Sequence, residues 1–250
     1  MKKKKIKIII PLIIIIFMMN ALIFLYLCTG NYKAYDEAKE YLVSKDNVKV
    51  EKIDEGYFFD GSGEAFAIIF YPGAKVDYEA YSKLMYDLAD IGYDTFLLKM
   101  PFNMAFFGKN KALKIMEKYE YDNFYVAGHS LGGVVANSFA AKHHEDLMGV
   151  INLASYPAEQ IPDDLEYLYI FGSEDMVMYR EKYEKSKEYV LSDYKEVIIN
   201  GGNHAGFGLY GPQAGDGTAT ISQKEQIEKA VFEIDYFIKL NDPSVLDIMW

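Results

Sequence analysis

The chain has 250 residues, 51% of them apolar, a single cysteine and a formal charge of −11. That is apolar mass for one sizeable core but no possible internal disulfide, so packing has to hold the fold. The charge excludes the basic footprint of a nucleic-acid-binding protein and argues against a polyanionic substrate.

Residues 1–30 stand apart. Met1 to Lys7 carries five lysines, and Ile8 to Cys28 is a run of 21 residues without a charge. Roughly 20 apolar residues cross a bilayer, so the sequence predicts one N-terminal transmembrane helix. The positive-inside rule then puts the lysines in the cytoplasm and the rest of the chain outside the cell membrane. The apolar run exceeds the ~7–15 residues usual in a cleaved signal peptide. Cleavage after Gly30 (a secreted product) and lipidation at Cys28 are the competing readings, the latter opposed by Leu27 before the cysteine. Five of the 26 basic residues lie in this segment, so the remainder keeps 21 against 37 acids, a formal charge of −16. No cofactor or metal motif is present, and the partners expected are a membrane, through the helix, and a small acyl substrate.

Residues 31–47 mix Tyr32, Tyr35, Leu42 and Val43 with charges and read as a short amphipathic helix joining membrane to domain. The domain is expected over residues 48–250. Val48 to Ile53 and Gly56 to Asp60 read as an antiparallel pair. Ala65 to Tyr71 is apolar throughout, as a strand covered on both faces should be. Helix Tyr78 to Ile91 follows, then strand Thr95 to Lys99, helix Lys111 to Tyr119 and strand Asn123 to Ala127. Beyond it come helix Leu131 to Ala141 and strands Gly149 to Leu153 and Leu168 to Phe171. A charged helix Val177 to Tyr189, strand Lys195 to Ile199 and helix Ser222 to Leu240 complete the pattern. Such alternation implies an α/β fold, a mostly parallel central sheet with helices on both faces.

Gly128-His129-Ser130-Leu131-Gly132 falls between one of these strands and its helix. This is the G-x-S-x-G turn, in which a serine is held in a strained conformation and the glycines let strand and helix approach. A serine hydroxyl needs a base, and the base needs a third group to fix its tautomer. His129 adjoins the serine and cannot curl back onto it. His143 and His144 sit near the end of the helix, where cations are favoured. His204 remains, in the glycine-rich loop Gly201 to Gly206 after a strand, where sites form in open α/β sheets. Asp175 follows strand Leu168 to Phe171 and is the candidate acid, with Glu174 its rival and Asp163 and Asp164 misplaced before the strand. Phe102, Met104, Phe106 and Phe107 form an apolar stretch after another strand and are candidates for lining an acyl pocket, against burial as plain core. Ala154 to Tyr167 leaves room for a small lid only.

Across residues 48–240 the chain resembles the α/β-hydrolase superfamily, in particular its bacterial dienelactone-hydrolase-like branch. The likeness rests on Phe70-Tyr71-Pro72-Gly73-Ala74-Lys75-Val76-Asp77, on Gly128 to Gly133, and on Asn203-His204-Ala205-Gly206-Phe207-Gly208 with the Tyr210 to Gln213 and Gly215 to Gly217 that follow. The resemblance implies Ser130 as nucleophile, His204 as base and Asp175 as acid. It implies an oxyanion hole from the N–H groups of Leu131 and either Ala74 or Gly73. The expected activity is hydrolysis of a carboxylic ester or thioester. Acyl transfer, amide cleavage and non-catalytic binding are the alternatives. Dienelactone hydrolases use a cysteine where this chain has Ser130, so their substrate is not implied.

Overall fold

The computed structural model describes residues 2–63, 66–121 and 123–241, with side chains described from residue 13 onward except residue 123. The chain divides into two compact units, Met1–Asn31 and Tyr32–Trp250.

The first unit is one helix, α1 (Lys2–Cys28). Its described part presents apolar side chains to the outside on every face, from Ile13 to Tyr26. Among the residues whose side chains are described, no helix is long and apolar enough to cross a membrane. The span expected from Ile8 begins on residues outside that set, as do the lysines at 2–7.

The second unit is built on eight strands: β1 (Lys49–Ile53), β2 (Gly56–Asp60), β3 (Phe66–Tyr71), β4 (Asp94–Leu98), β5 (Asn123–His129), β6 (Gly149–Leu153), β7 (Glu166–Gly172) and β8 (Tyr194–Ile199). They form a single sheet in the order β1-β2-β4-β3-β5-β6-β7-β8. The first two are antiparallel, β1 to β2 and β2 to β4, and every other pairing is parallel. Residue 65, expected at the start of β3, lies outside the described residues.

Side chains alternate across a pleated strand, and β3 serves both faces. Ile68 and Phe70 enter one core with Leu84, Met85 and Leu88 of α2 (Ser82–Asp90) and Ile227, Ile234 and Phe237 of α6 (Gln223–Asn241). Ala67, Ile69 and Tyr71 enter the other, with Ile115 of α3 (Lys111–Lys118), Val135, Ala136 and Phe139 of α4 (Leu131–His143) and Tyr183 of α5 (Arg180–Ser186). The α/β reading with helices on both faces therefore holds. The charged stretch before α5 is shorter as a helix than its composition implied, because Val177 and Met178 are held by the Asp175 carboxylate in a turn.

Residues 31–47 form only one short 3₁₀ turn, Asp36–Tyr41, in place of the expected amphipathic helix. Their backbone is engaged elsewhere. Tyr32 exchanges hydrogen bonds with Lys75 and Asp77, and Tyr35 N–H donates to the Leu209 carbonyl. Those bonds to distant loops outcompete local helix formation.

The order of the strands matters for function. From β3 the chain moves outward to β4 and then returns to β3's other side as β5. Such a reversal opens a crevice at the carboxyl ends of the two central strands.

Candidate active site

Ser130 follows β5 at that crevice, with φ 52° and ψ −125°. A positive φ on a non-glycine residue is strained, and here the surroundings enforce it. Ser130 N–H donates to the Leu153 carbonyl at 3.0 Å, and its own carbonyl accepts from Ser155 Oγ at 2.7 Å. A Cβ at Gly132 would stand 2.2 Å from the Tyr71 carbonyl oxygen, and one at Gly128 would stand 2.6 Å from the backbone of Gly132. The motif glycines are thus what lets α4 begin hard against β3. Lys75, Phe102, Asn103 and Ala154 also have positive φ and follow β3, β4 and β6. The strain gathers along one edge of the sheet.

His204 and Asp175 arrive from the loops after β8 and β7. His204 Nδ1 and Asp175 Oδ2 are 2.9 Å apart, with both side chains out of solvent. Asp175 Oδ1 accepts from the N–H groups of Val177 and Met178 at 2.9 and 2.8 Å. Burial pushes the Asp175 carboxyl up, but the His204 hydrogen bond and charge and those two N–H groups outweigh it and hold the carboxyl below its usual range. An ionised Asp175 accepts the proton on Nδ1, which leaves the lone pair of His204 on Nε2. That nitrogen is buried and has no hydrogen-bond partner among the described residues. Ser130 and His204 line the same cleft of about 210 Å³, together with Leu131, Val134 and Tyr179. Glu174, the rival acid, instead pairs with the Ser173 hydroxyl, and Asp164 pairs with His144 at the surface.

Leu131 is the first residue of α4, where an N–H has no intrahelical partner. Of the two oxyanion candidates in the β3 loop, Gly73 is occupied, its N–H donating to Tyr81 Oη at 3.2 Å. The Ala74 N–H forms no hydrogen bond among the described residues. Of the aromatic stretch, Phe106 lines a second pocket beside α4. Phe102 and Phe107 are exposed and packed edge to face on each other, and Met104 is half-buried. Among the described residues no cluster of histidine, cysteine or carboxylate could hold a metal ion.

Four side chains with a part in the site, His129, Tyr81, Asp216 and Gln226, are given no role by the sequence pattern. His129 is fully buried, with Nε2 at 3.0 Å from the His204 carbonyl and Nδ1 at 2.8 Å from Tyr81 Oη. A carbonyl can only accept, so Nε2 carries the proton and Nδ1 accepts from Tyr81. Burial and then the neighbouring His204 hold the His129 pKa well below its ordinary value, so the ring is neutral. Gly73, Tyr81, His129 and the His204 backbone thus form one chain of hydrogen bonds. Asp216 accepts from the N–H groups of Met176, His204, Ala205 and Gly217, clamping the acid loop to the base loop. Gln226, buried in α6, pairs its amide with the N–H and the carbonyl of Asn203.

A serine on a strained turn after a central parallel strand, with its base and acid on later loops in the order Ser130, Asp175, His204, defines the α/β-hydrolase architecture. The model of the alpha/beta hydrolase family matches residues 67–228, and the chain belongs to that family. Among solved structures, it is similar to alpha/beta hydrolase domain-containing protein 10 from mouse, at 13% identity over 79% of this chain and 100% of that one, with a TM-score of 0.59. A Vigna radiata epoxide hydrolase mutant is 9% identical over 78% and 99%, TM-score 0.59. Dienelactone hydrolase from Anabaena variabilis is 13% identical over 76% and 99%, TM-score 0.52. At such identities the likeness is one of fold. No curated protein matches the chain in sequence.

Proposed function

We propose that the protein is a membrane-tethered serine hydrolase of carboxylic esters or thioesters. The observation that carries this reading is the buried, unpartnered Nε2 of His204, oriented by Asp175 and opening on the cleft that holds Ser130. A buried nitrogen without a partner is costly, and one that awaits a proton has a reason to be so.

In the mechanism, Ser130 Oγ attacks the substrate carbonyl carbon while its proton passes to His204 Nε2. Asp175 stabilises the imidazolium that results and does not itself take the proton. The tetrahedral oxyanion is held by the Leu131 and Ala74 N–H groups, each such donor contributing about 3 kcal/mol. Collapse breaks the bond to the leaving alcohol or thiol, which departs with the proton from His204. Water then attacks the acyl-enzyme, giving its proton to His204, and Ser130 is regenerated as the acid leaves.

The tether is α1. The uncharged run of 21 residues from 8 to 28 would extend roughly 32 Å as a helix at about 1.5 Å per residue, enough for the ~30 Å of a bilayer core. The lysines at 2–7 favour a cytoplasmic tip and an extracytoplasmic domain.

The test is covalent labelling with a fluorophosphonate. Wild-type protein should label at neutral pH, and Ser130→Ala and His204→Ala should not, although the latter keeps its serine. A surface serine would be indifferent to His204. Unlabelled wild-type protein that also turns over no activated ester would refute the reading.

A further inference from the structure

Beside the Ser130 cleft lies a second pocket of about 360 Å³, and Val134 borders both. Its walls include Phe106, Val135 and Phe139, the last two buried against the sheet. Residues four apart on a helix share a face. Val134, Ser138 and Lys142 therefore form one stripe along α4 and Val135, Phe139 and His143 the next. The pocket runs down α4 away from the elbow, apolar near Ser130 and polar at its far end.

That far end has the opposite sign to the rest of the domain. Residues 31–250 carry a formal −16, yet the pocket is lined by Lys109, Lys142 and His143 against one carboxylate, Glu159, with Lys142 and His143 on the last turn of α4, away from Ser130. Neither lysine forms an ion pair among the described residues. His143 stacks on Phe139, with ring centroids 4.4 Å apart. A general acidic surface serves solubility; two unpaired ammonium groups at the end of an apolar trough serve recognition.

We propose, building on the hydrolase reading above, that this pocket selects acyl chains ending in a carboxylate. The substrate would be a half-ester or half-thioester of a dicarboxylic acid, its carbonyl at Ser130, its methylenes over Val134 and along Phe106 and Phe139, and its free carboxylate between Lys109 and Lys142. Twelve residues of α4 separate Ser130 from Lys142, roughly 18 Å of axis. Helical side chains lean back toward the N-terminus, so the ammonium stands nearer to the elbow than its backbone does. A chain of medium length spans the gap. One carboxylate suits two lysines, whereas a polyanion would meet the acidic surface around them.

The experiment compares p-nitrophenyl half-esters of dicarboxylic acids with p-nitrophenyl alkanoates of equal chain length, using the full chain in detergent. The half-esters should show about tenfold higher kcat/KM at the favoured length, an advantage that shrinks with added salt. Lys109→Met with Lys142→Met should remove the preference while leaving alkanoate turnover and fluorophosphonate labelling as in wild type. Labelling and alkanoate turnover without any half-ester preference, or a preference that survives both substitutions, overturns the pocket assignment and leaves the hydrolase reading standing. Absence of both labelling and turnover overturns the two together.

Discussion

His129 is neutral because burial and the adjacent His204 both oppose a charge on it, the pull of Asp175 being weaker. In the unfolded chain the same ring titrates near 6.5. Below that pH the unfolded state binds a proton that the native state refuses, so acid favours unfolding. The loss approaches about 1.4 kcal/mol per pH unit. Asp175 has a separate window. Its native pKa is depressed, so its contribution is present above the unfolded carboxyl value of 3.8 and is lost as pH falls through the native value. Denaturant unfolding followed from pH 7.5 to 5 should therefore show a steeper decline in wild type than in His129→Leu. Parallel curves would mean that His129 is not held neutral. For catalysis, Asp175→Asn should fold and lose roughly 10⁴-fold in turnover by leaving His204 in the wrong tautomer. The same loss in Glu174→Gln, with Asp175→Asn active, would reassign the acid. Ser130, His204 and Asp175 are legible in the sequence because the chemistry restricts both residue type and chain order. His129 and Tyr81 are not, because their roles exist only once residues 48 positions apart meet in the core.

The loops after β7 and β8 act as one element, joined directly where the Glu174 N–H donates to the Gly202 carbonyl at 2.8 Å and the Gly201 N–H to the Ser173 hydroxyl at 2.9 Å. Asp216 binds N–H groups from both, and Asn203 Nδ2 donates to the Gly217 carbonyl at 2.8 Å. Hydrogen bonds to a charged group contribute about 1.5–3 kcal/mol each when buried, and here they also set where His204 stands relative to Asp175. Asp216→Ala should lower kcat by one to two decades with KM little changed, because the ester is still bound while the base is misplaced. A purely structural role would lower the melting temperature and leave kcat of the folded fraction intact. All eight strands were readable from apolar runs and turn residues, and they lie within a residue or two of the expected positions. The segment 31–47 was not, since its tyrosines and charges have helical spacing. What decides its shape is the pairing of Tyr32 and Tyr35 with loops that follow β3 and the base, and periodicity carries no trace of such long-range bonds.

At the scale of the whole chain, the two units divide the work of burial. The buried residues of both apolar cores run from 38 onward, with Tyr32 and Ala34 packed against the first. In α1 the exposed side chains from Ile13 to Tyr26 are aliphatic, aromatic, sulfur-containing or small, with Asn20 bonded back to the Ile16 carbonyl. A helix apolar on every face is a core helix or a membrane one. Residues 32–250 produced alone should therefore be soluble, fold, and label with fluorophosphonate as the full chain does. The full chain should stay with the membrane through a carbonate wash, which strips peripheral proteins. Protease added to intact cells or protoplasts should digest the hydrolase unit, and the mature protein should keep residues 1–7. A soluble mature protein starting at Asn31 would show that the segment is a cleaved leader, and lipid on Cys28 would show an anchor of another kind. Failure of the 32–250 fragment to fold would mean that α1 contributes to the hydrolase unit after all.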